Sequence, residues 1–269
     1  MSIETRRVQF ELDSVRSAKL VDTHAHIHFS NFAGKVDEVI HKAAEAGVDK
    51  IITVGVNSAD SRAAVEMASR RENVWASVGI HPHDAGEAEQ ARGYISDLAG
   101  ERKVVAIGEC GLDYFKSQTS REDQELALRW QIELALERRL PLIFHVRDAL
   151  DDFFRITGDY DGIRGVIHSF TGTRSQMEMV VERDLDVALN GIVTFTKDQQ
   201  QIEAAKHLPL ENMLLETDCP FLAPTPNRGK LNTPAAVKDI AEFLAELRGE
   251  DVARLAAATT ANAEGLFGI

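Results

Sequence analysis

LVDTHAHIHF, residues 20–29, sets three histidines at alternate positions directly after a short apolar run. In an extended chain, side chains at i and i+2 point to the same face. His24 and His26 can therefore aim at one point, and His28 joins them only if the strand continues. Two neutral imidazoles converging on a point suggest a metal, but one pair is weak evidence by itself. The decision rests on whether other strands end in ligands at comparable places.

Short apolar, β-branched runs recur along the chain: 19–24 (KLVDTH), 50–56 (KIITVGV), 74–80 (VWASVGI), 103–109 (KVVAIGE), 141–146 (PLIFHV), 164–169 (RGVIHS), 186–193 (DVALNGIV) and 212–218 (NMLLETD). The segments between them read as helices. REDQELALRWQIELALERR (121–139) carries Leu126, Trp130 and Leu134 at helical spacing, with Ser120 as its N-cap. Eight strand–helix units in about 250 residues predict an α/β fold: a single-domain (β/α)8 TIM-type barrel over 19–269, preceded by an N-terminal extension, 1–18. A doubly wound open sheet is the alternative, but it usually has fewer strands. No Pro/Gly-rich linker or charge block divides the chain.

The polar residues fall at the predicted strand ends. His24 and His26 follow strand one, His81 and His83 strand three, and Glu109 closes strand four. His145 closes strand five, His168 strand six and Asp218 strand eight. In a barrel, all C-terminal strand ends share one face, where active sites are built. Any one such histidine is more often a core or capping residue; the joint coincidence argues otherwise. Four imidazoles (His24, His26, His145, His168) and two carboxylates (Glu109, Asp218) suit a divalent transition metal such as zinc or manganese, as one ion or as two sharing a carboxylate. His41 and His207 read as surface histidines, and His28 is ambiguous.

Composition narrows the partners. A net charge of −13 argues against a broad basic surface gripping duplex phosphates, yet leaves room for a single strand end. No apolar run is long enough to span a bilayer, so no membrane partner is expected. TRRVQF (5–10) superficially resembles a twin-arginine signal, but ELDSVRSAKL has no apolar h-region. Val8, Phe10 and Leu12 alternate as in a strand. Cys110 and Cys219 lack a C-x-x-C context and read as reduced thiols, small buried space-fillers in a cytoplasmic protein. The sequence leaves the oligomeric state open, and a monomer is compatible with it.

Together, DTHAH (22–26), GIHPHDA (79–85), AIGECGLDY (106–114), QIELA (131–135), FHVRDA (144–149), HSFTG (168–172) and LLETDCPFLAP (214–224) closely resemble the TatD family of metal-dependent hydrolases. That resemblance implies two divalent ions (Mg, Mn or Zn). His24, His26 and Asp218 with a bridging Glu109 would hold one; Glu109, His145 and His168 would hold the other. It further implies 3′-5′ exonuclease action on DNA or RNA ends, or, as the alternative, ester or amide hydrolysis such as D-aminoacyl-tRNA deacylation. Where the family usually has PHRGKRNEP, this chain has PNRGKLNTP (226–234): Asn227, Leu231 and Thr233 replace His, Arg and Glu, and His28 stands where Asp is common.

A divalent ion brings bound water towards ionisation at neutral pH. Asp218 is the expected general base and Glu109 the shared carboxylate. Arg147 is the candidate to neutralise phosphoryl charge, against a salt bridge with Asp148. Arg228 and Lys230 are candidate phosphate clamps, against solvated loop charges. His81 is expected to contact phosphate or donate a proton to the leaving group, and His83 to support it through a hydrogen bond.

Overall fold

The computed structural model describes residues 19–115 and 117–269. The N-terminal extension and its suggested strand lie outside the described residues.

Eight parallel strands pair in sequence order: β1 Leu20–Ala25, β2 Val48–Val54, β3 Val74–Val78, β4 Val104–Asp113, β5 Leu142–Arg147, β6 Gly165–Ile167, β7 Asp186–Leu189 and β8 Met213–Leu215. The ring nearly closes between β8 and β1. Thr23 Oγ1 donates to the Leu215 carbonyl (2.9 Å). Beyond β8, the Asp218 N–H donates to the His24 carbonyl and the His26 N–H to the Cys219 carbonyl, both at 2.8 Å. Around the ring lie α1 Val36–Glu45, α2 Ser58–Ser69, α3 Ala88–Leu98, α4 Arg121–Arg138, α5 Leu150–Thr157, α6 Arg174–Val181, α7 Gln199–His207, α8 Val237–Arg248 and α9 Val252–Phe267. The expected barrel is the observed one.

The strand period of two builds two cores. Val21, Ile52, Val54, Ala106, Ile143, Val166, Ala188 and Leu214 fill the barrel interior, whose lower end is plugged by Ala263 and Phe267 of α9. Their neighbours Leu20, Ile51, Leu142, Phe144, Ile167, Met213 and Leu215 face outward against the helices. Burying apolar surface on both strand faces is what makes these runs nearly continuously hydrophobic.

Some boundaries differ from expectation. β4 continues past Glu109 to Asp113. β7 stops at Leu189, because the Asn190 side chain accepts from the Ile192 N–H and starts a 3₁₀ turn over Gly191–Thr194. β8 ends at Leu215, because Thr217 leaves the ladder to bond Asp22 instead. Ser120 caps α4 as expected, accepting from the Asp123 N–H at 3.0 Å. Of the helix's three marker residues, Trp130 and Leu134 are buried, but Leu126 is 54% exposed. The buried stripe runs through Gln124, Ala127, Leu128, Gln131 and Ala135, centred about 160° around the helix from Leu126.

Candidate functional site

Simple alternation would point the key side chains the wrong way. Val21 faces inward, so a regular β1 would turn His24 and His26 outward. The pairing jumps from Asp22↔Ile51 to Ala25↔Thr53, three residues against two. This irregularity reverses the phase and sends both imidazoles into the mouth. The same happens in β4, where Ile107↔Leu142 is followed by Cys110↔Phe144. Ala106 faces inward before the jump; Glu109 does so after it. β4 also approaches β5 closely there. A Cβ on Gly111 (φ +147°) would lie 1.9 Å from the His145 carbonyl oxygen, so only glycine fits. β5 and β6 need no correction, since Ile143 and His145, like Val166 and His168, are two apart.

The result is a cluster centred on Glu109, whose side chain is 5% exposed. Its Oε2 lies 3.4 Å from His24 Nε2. Its Oε1 lies 2.8 Å from His145 Nδ1, 2.9 Å from His168 Nε2 and 3.6 Å from His81 Nε2. On the first side, His24 Nε2 and His26 Nε2 are 3.3 Å apart, and Asp218 Oδ1 is 3.4 Å from His26 and 3.8 Å from His24. On the second, His145 Nδ1 and His168 Nε2 are 3.4 Å apart. Donors bound tetrahedrally at ~2.0–2.2 Å to one zinc-sized ion stand about 3.4 Å from each other. Both nests of nitrogen and carboxylate oxygen therefore fit a divalent ion, and Glu109 offers one oxygen to each.

Partners behind the cluster fix the rings. His26 Nδ1 is 2.8 Å from the Val54 carbonyl, so it carries the proton and leaves Nε2 free to bind. His145 Nε2 is 3.2 Å from Asp113 Oδ2, which directs Nδ1 at Glu109. His83 Nε2 meets the same Asp113 oxygen at 3.0 Å. His168 Nδ1 lies 3.4 Å from Glu216 Oε1, too long for a strong hydrogen bond, so Glu216 acts there mainly through its charge. Glu216 in turn accepts from the Ser169 N–H (2.7 Å) and Asn190 Nδ2 (3.1 Å). Two glutamines of α4 clamp the neighbouring backbone: Gln131 binds both polar groups of Ile80, and Gln124 both of Asp113.

The electrostatics follow. Burial works against a charged Glu109, but His168 foremost, through its charge and hydrogen bond, and the His145 hydrogen bond outweigh it and hold the carboxyl well below its ordinary value. Burial likewise opposes a charged His168, yet Glu109 and Glu216 raise its pKa well above the usual imidazole range. His24 is lowered, by burial and then by His168. His81 is pushed down to about 3, chiefly by burial, so it is neutral at pH 7. Its Nδ1 accepts from the His83 N–H at 3.1 Å, which leaves the ring proton on Nε2, facing Glu109. Although His81 Nε2 is near enough to group with Glu109 and His145, that tautomer makes it a donor rather than a ligand.

Other candidates are placed plainly. Arg147 lines the mouth and lies over the Phe115 ring at 4.2 Å; among the described residues it pairs with no carboxylate, Asp148 included. Arg228 stacks on Phe195 (4.4 Å) and Lys230 donates to Asn227 Oδ1 (3.1 Å); neither lines the mouth cavity of about 750 Å³. In their loop, Asn232 is buried and donates to the Thr217 and Phe221 carbonyls, so the loop's asparagine is an anchor. His28 points away from the centre to Thr53 Oγ1 (2.7 Å) and Asp60 Oδ1 (2.9 Å). His41 and His207 lie exposed on α1 and α7. Cys110 and Cys219 are buried free thiols whose pKa values burial raises. Asp113, Glu216 and Asp22 are functional neighbours that sequence reasoning missed. The signal was present for all three, since Asp22, Asp113 and Glu216 lie within the same DTHAH, GECGLDY and LLETD stretches as the ligands.

Comparison with known proteins adds an independent line. Residues 21–268 match the family described as "TatD related DNase". An uncharacterized metal-dependent hydrolase, YabD of Bacillus subtilis, is 38% identical over 93% of this chain and 99% of its own. The 3′-5′ ssDNA/RNA exonuclease TatD of Shigella flexneri is 37% identical over 93% of this chain and 99% of its own. The crystal structure of YjjV, a TatD homolog from Escherichia coli, superposes with a TM-score of 0.85 at 29% identity, over 94% of this chain and 99% of that one.

Proposed function

This chain belongs to the TatD-related DNase family and is a metal-dependent hydrolase of ester bonds; on that premise we propose that it trims single-stranded DNA or RNA from the 3′ end using two divalent ions. The observation carrying this reading is the split of Glu109, one oxygen towards His24 and the other towards His145 and His168. His24, His26 and Asp218 with Oε2 of Glu109 would hold one ion, and His145 and His168 with Oε1 the second. Divalent ions of the magnesium, manganese or zinc kind supply Lewis acidity there and bring a water towards ionisation near neutral pH.

The chain's own groups do the rest. Asp218 reaches the mouth with 15% of its side chain exposed. Burial opposes its charge, but His26 and His24 keep it ionised, ready to accept the proton of the attacking water. Arg147 faces the same cavity as a cation for the phosphoryl oxygens. Neutral His81 offers Nε2–H as a hydrogen-bond donor to a phosphoryl or leaving oxygen, and a ring held near pKa 3 is no imidazolium acid. His83 supports the site through Asp113.

No helix among the described residues is long and apolar enough to cross a membrane, and buried free thiols suit a reducing compartment such as the cytoplasm. The test is parallel incubation of metal-loaded protein with 3′-labelled and 5′-labelled single strands and with D-aminoacyl-tRNA. Early release of the 3′ label as mononucleotide is expected. Deacylation without strand shortening would replace the phosphodiesterase reading by the ester one.

A further inference from the structure

Beside the mouth lies a second basin of about 760 Å³, which shares Val146, Arg147 and Thr171 with it as common wall. We propose that this basin is a base-stacking subsite, holding one nucleotide of the single strand adjacent to the scissile phosphodiester. The inference rests on the nuclease reading above and adds which part of the substrate is gripped, and by what.

Its lining supports such a grip. Phe115 follows the end of β4 and is 53% exposed, with its backbone N–H fixed by Asp113 Oδ1 at 2.9 Å. The Arg147 guanidinium lies 4.2 Å from that ring, and the Arg121 guanidinium lies 4.0 Å from Tyr114 across the basin. Among the described residues neither arginine has a carboxylate within 4.0 Å, whereas Arg71, Arg129 and Arg155 all do. Arg183 on Phe154 and Arg228 on Phe195 stack in the same way singly; here two such guanidinium groups border one basin beside the mouth. Aromatic faces accept any base, and a neighbouring cation takes the phosphate, which is how sequence-tolerant single-strand channels work.

The basin also holds acids, which limits its occupant. Asp152 is engaged by Tyr114 Oη (2.9 Å) and Arg155 (3.1 Å), but Asp148 and Asp151 also line the wall. They disfavour a second phosphate, so the subsite fits one base with the phosphate on the Arg147 side. A counterpart stands on the opposite rim. Phe221 is 52% exposed and meets Phe29 edge to face at 6.4 Å. It follows β8, and in a ring ordered β1 to β8 that seam lies across from β4 and β5. The two platforms therefore flank the Glu109 cluster, one for each base beside the cleaved bond.

Abasic scanning tests this with the full metal-loaded chain. A short oligothymidylate carries one tetrahydrofuran residue at the first, second or third place from its 3′ end. The wild type should lose about 5- to 150-fold in kcat/KM at the place that meets Phe115, the range for one lost base stack. Phe115→Ala should show no penalty at that place yet keep the penalty at the neighbouring one. Phe221→Ala should do the reverse, and Phe115→Trp should restore the first. Identical penalties in wild type and Phe115→Ala at every place would overturn the subsite while leaving the nuclease reading intact. Failure of the wild type to cut even the unmodified strand would overturn the nuclease reading, and the subsite with it.

Discussion

On the β8–β1 side of the mouth the support comes from the backbone: the His26 ring leans on the Val54 carbonyl, and Asp218 arrives on a chain that bonds back to the His24 carbonyl. On the β5–β6 side they are backed by carboxylates, Asp113 behind His145 and Glu216 beside His168. The difference shows in the charges. On the β8–β1 side burial lowers the His24 pKa, while Asp218 overcomes burial and raises that of His26. On the β5–β6 side carboxylates overcome burial at both rings, Asp113 and Glu109 for His145 and Glu109 and Glu216 for His168. A carboxylate behind an imidazole strengthens it as a ligand and as a base alike. The β5–β6 nest should thus hold its ion more firmly once loaded, yet surrender it to protons at a higher pH.

Removing the one residue common to both halves should have the largest effect. Glu109→Ala is expected to lower turnover by on the order of 10³-fold or more, as loss of a central electrostatic group does, and to reduce bound metal on both sides. Metal analysis beside turnover checks this; near-normal values in both would end the idea of a shared carboxylate.

Next come the backing acids. Asp113→Asn and Glu216→Gln should each cost about 10- to 100-fold in metal affinity or activity. The loss should fall on one of two titrated ions, read by calorimetry. Equal weakening of both ions would erase the distinction between the halves.

A third test concerns the β8–β1 seam. Burial pushes the Asp22 carboxyl up to about 8, although Thr217 and the His24 N–H donate to it. An unfolded aspartate titrates near 3.9. Between those values the native state keeps a proton that the unfolded chain has lost, so this group's contribution to stability falls as pH rises through the window. Asp22→Asn removes that dependence. Relative to wild type, the variant should gain roughly 3–4 kcal/mol in unfolding free energy on going from pH 5 to pH 8, measured by denaturant titration. No relative gain would mean that Asp22 is ionised in place.

The smallest effect is expected outside both halves. Arg228→Ala and Lys230→Ala should leave metal content unchanged and alter KM for single strands by less than about tenfold, since one phosphate contact at most is lost. If either is a clamp, the slope of log affinity against log salt should fall by about 0.7. Restoring the family's charges by Leu231→Arg with Thr233→Glu probes the same loop from the other side. An unchanged slope in all three would remove the loop from the phosphate path.

How much of this was legible beforehand depended on whether the signal was local. Nearly continuous apolar runs separated by helical segments are local, because burial on both faces of a parallel strand demands them. They yielded the barrel, and with it the shared mouth for His24, His26, Glu109, His145, His168 and Asp218. Boundaries such as Leu189 and Leu215 were missed because side chains of Asn190 and Asp22 intercept the ladder. Leu126 was misplaced because the stripe of α4 is set by what β4 and the Ile80 turn ask of Gln124 and Gln131.

The sequence by itself determined the strand count, the order of the units and which residues stand at the strand ends, since these follow from hydrophobic periodicity along one chain. Only the tertiary structure decided which way those residues face. The phase reversals in β1 and β4 exist through pairing with β2 and β5, not through any local pattern. Likewise, the His83 N–H fixed the His81 proton on Nε2, and Asp113 and Glu216 became partners of His145 and His168. Orientation and protonation are set by contacts that exist only once the strands and their loops are in place, and a linear pattern carries no record of them.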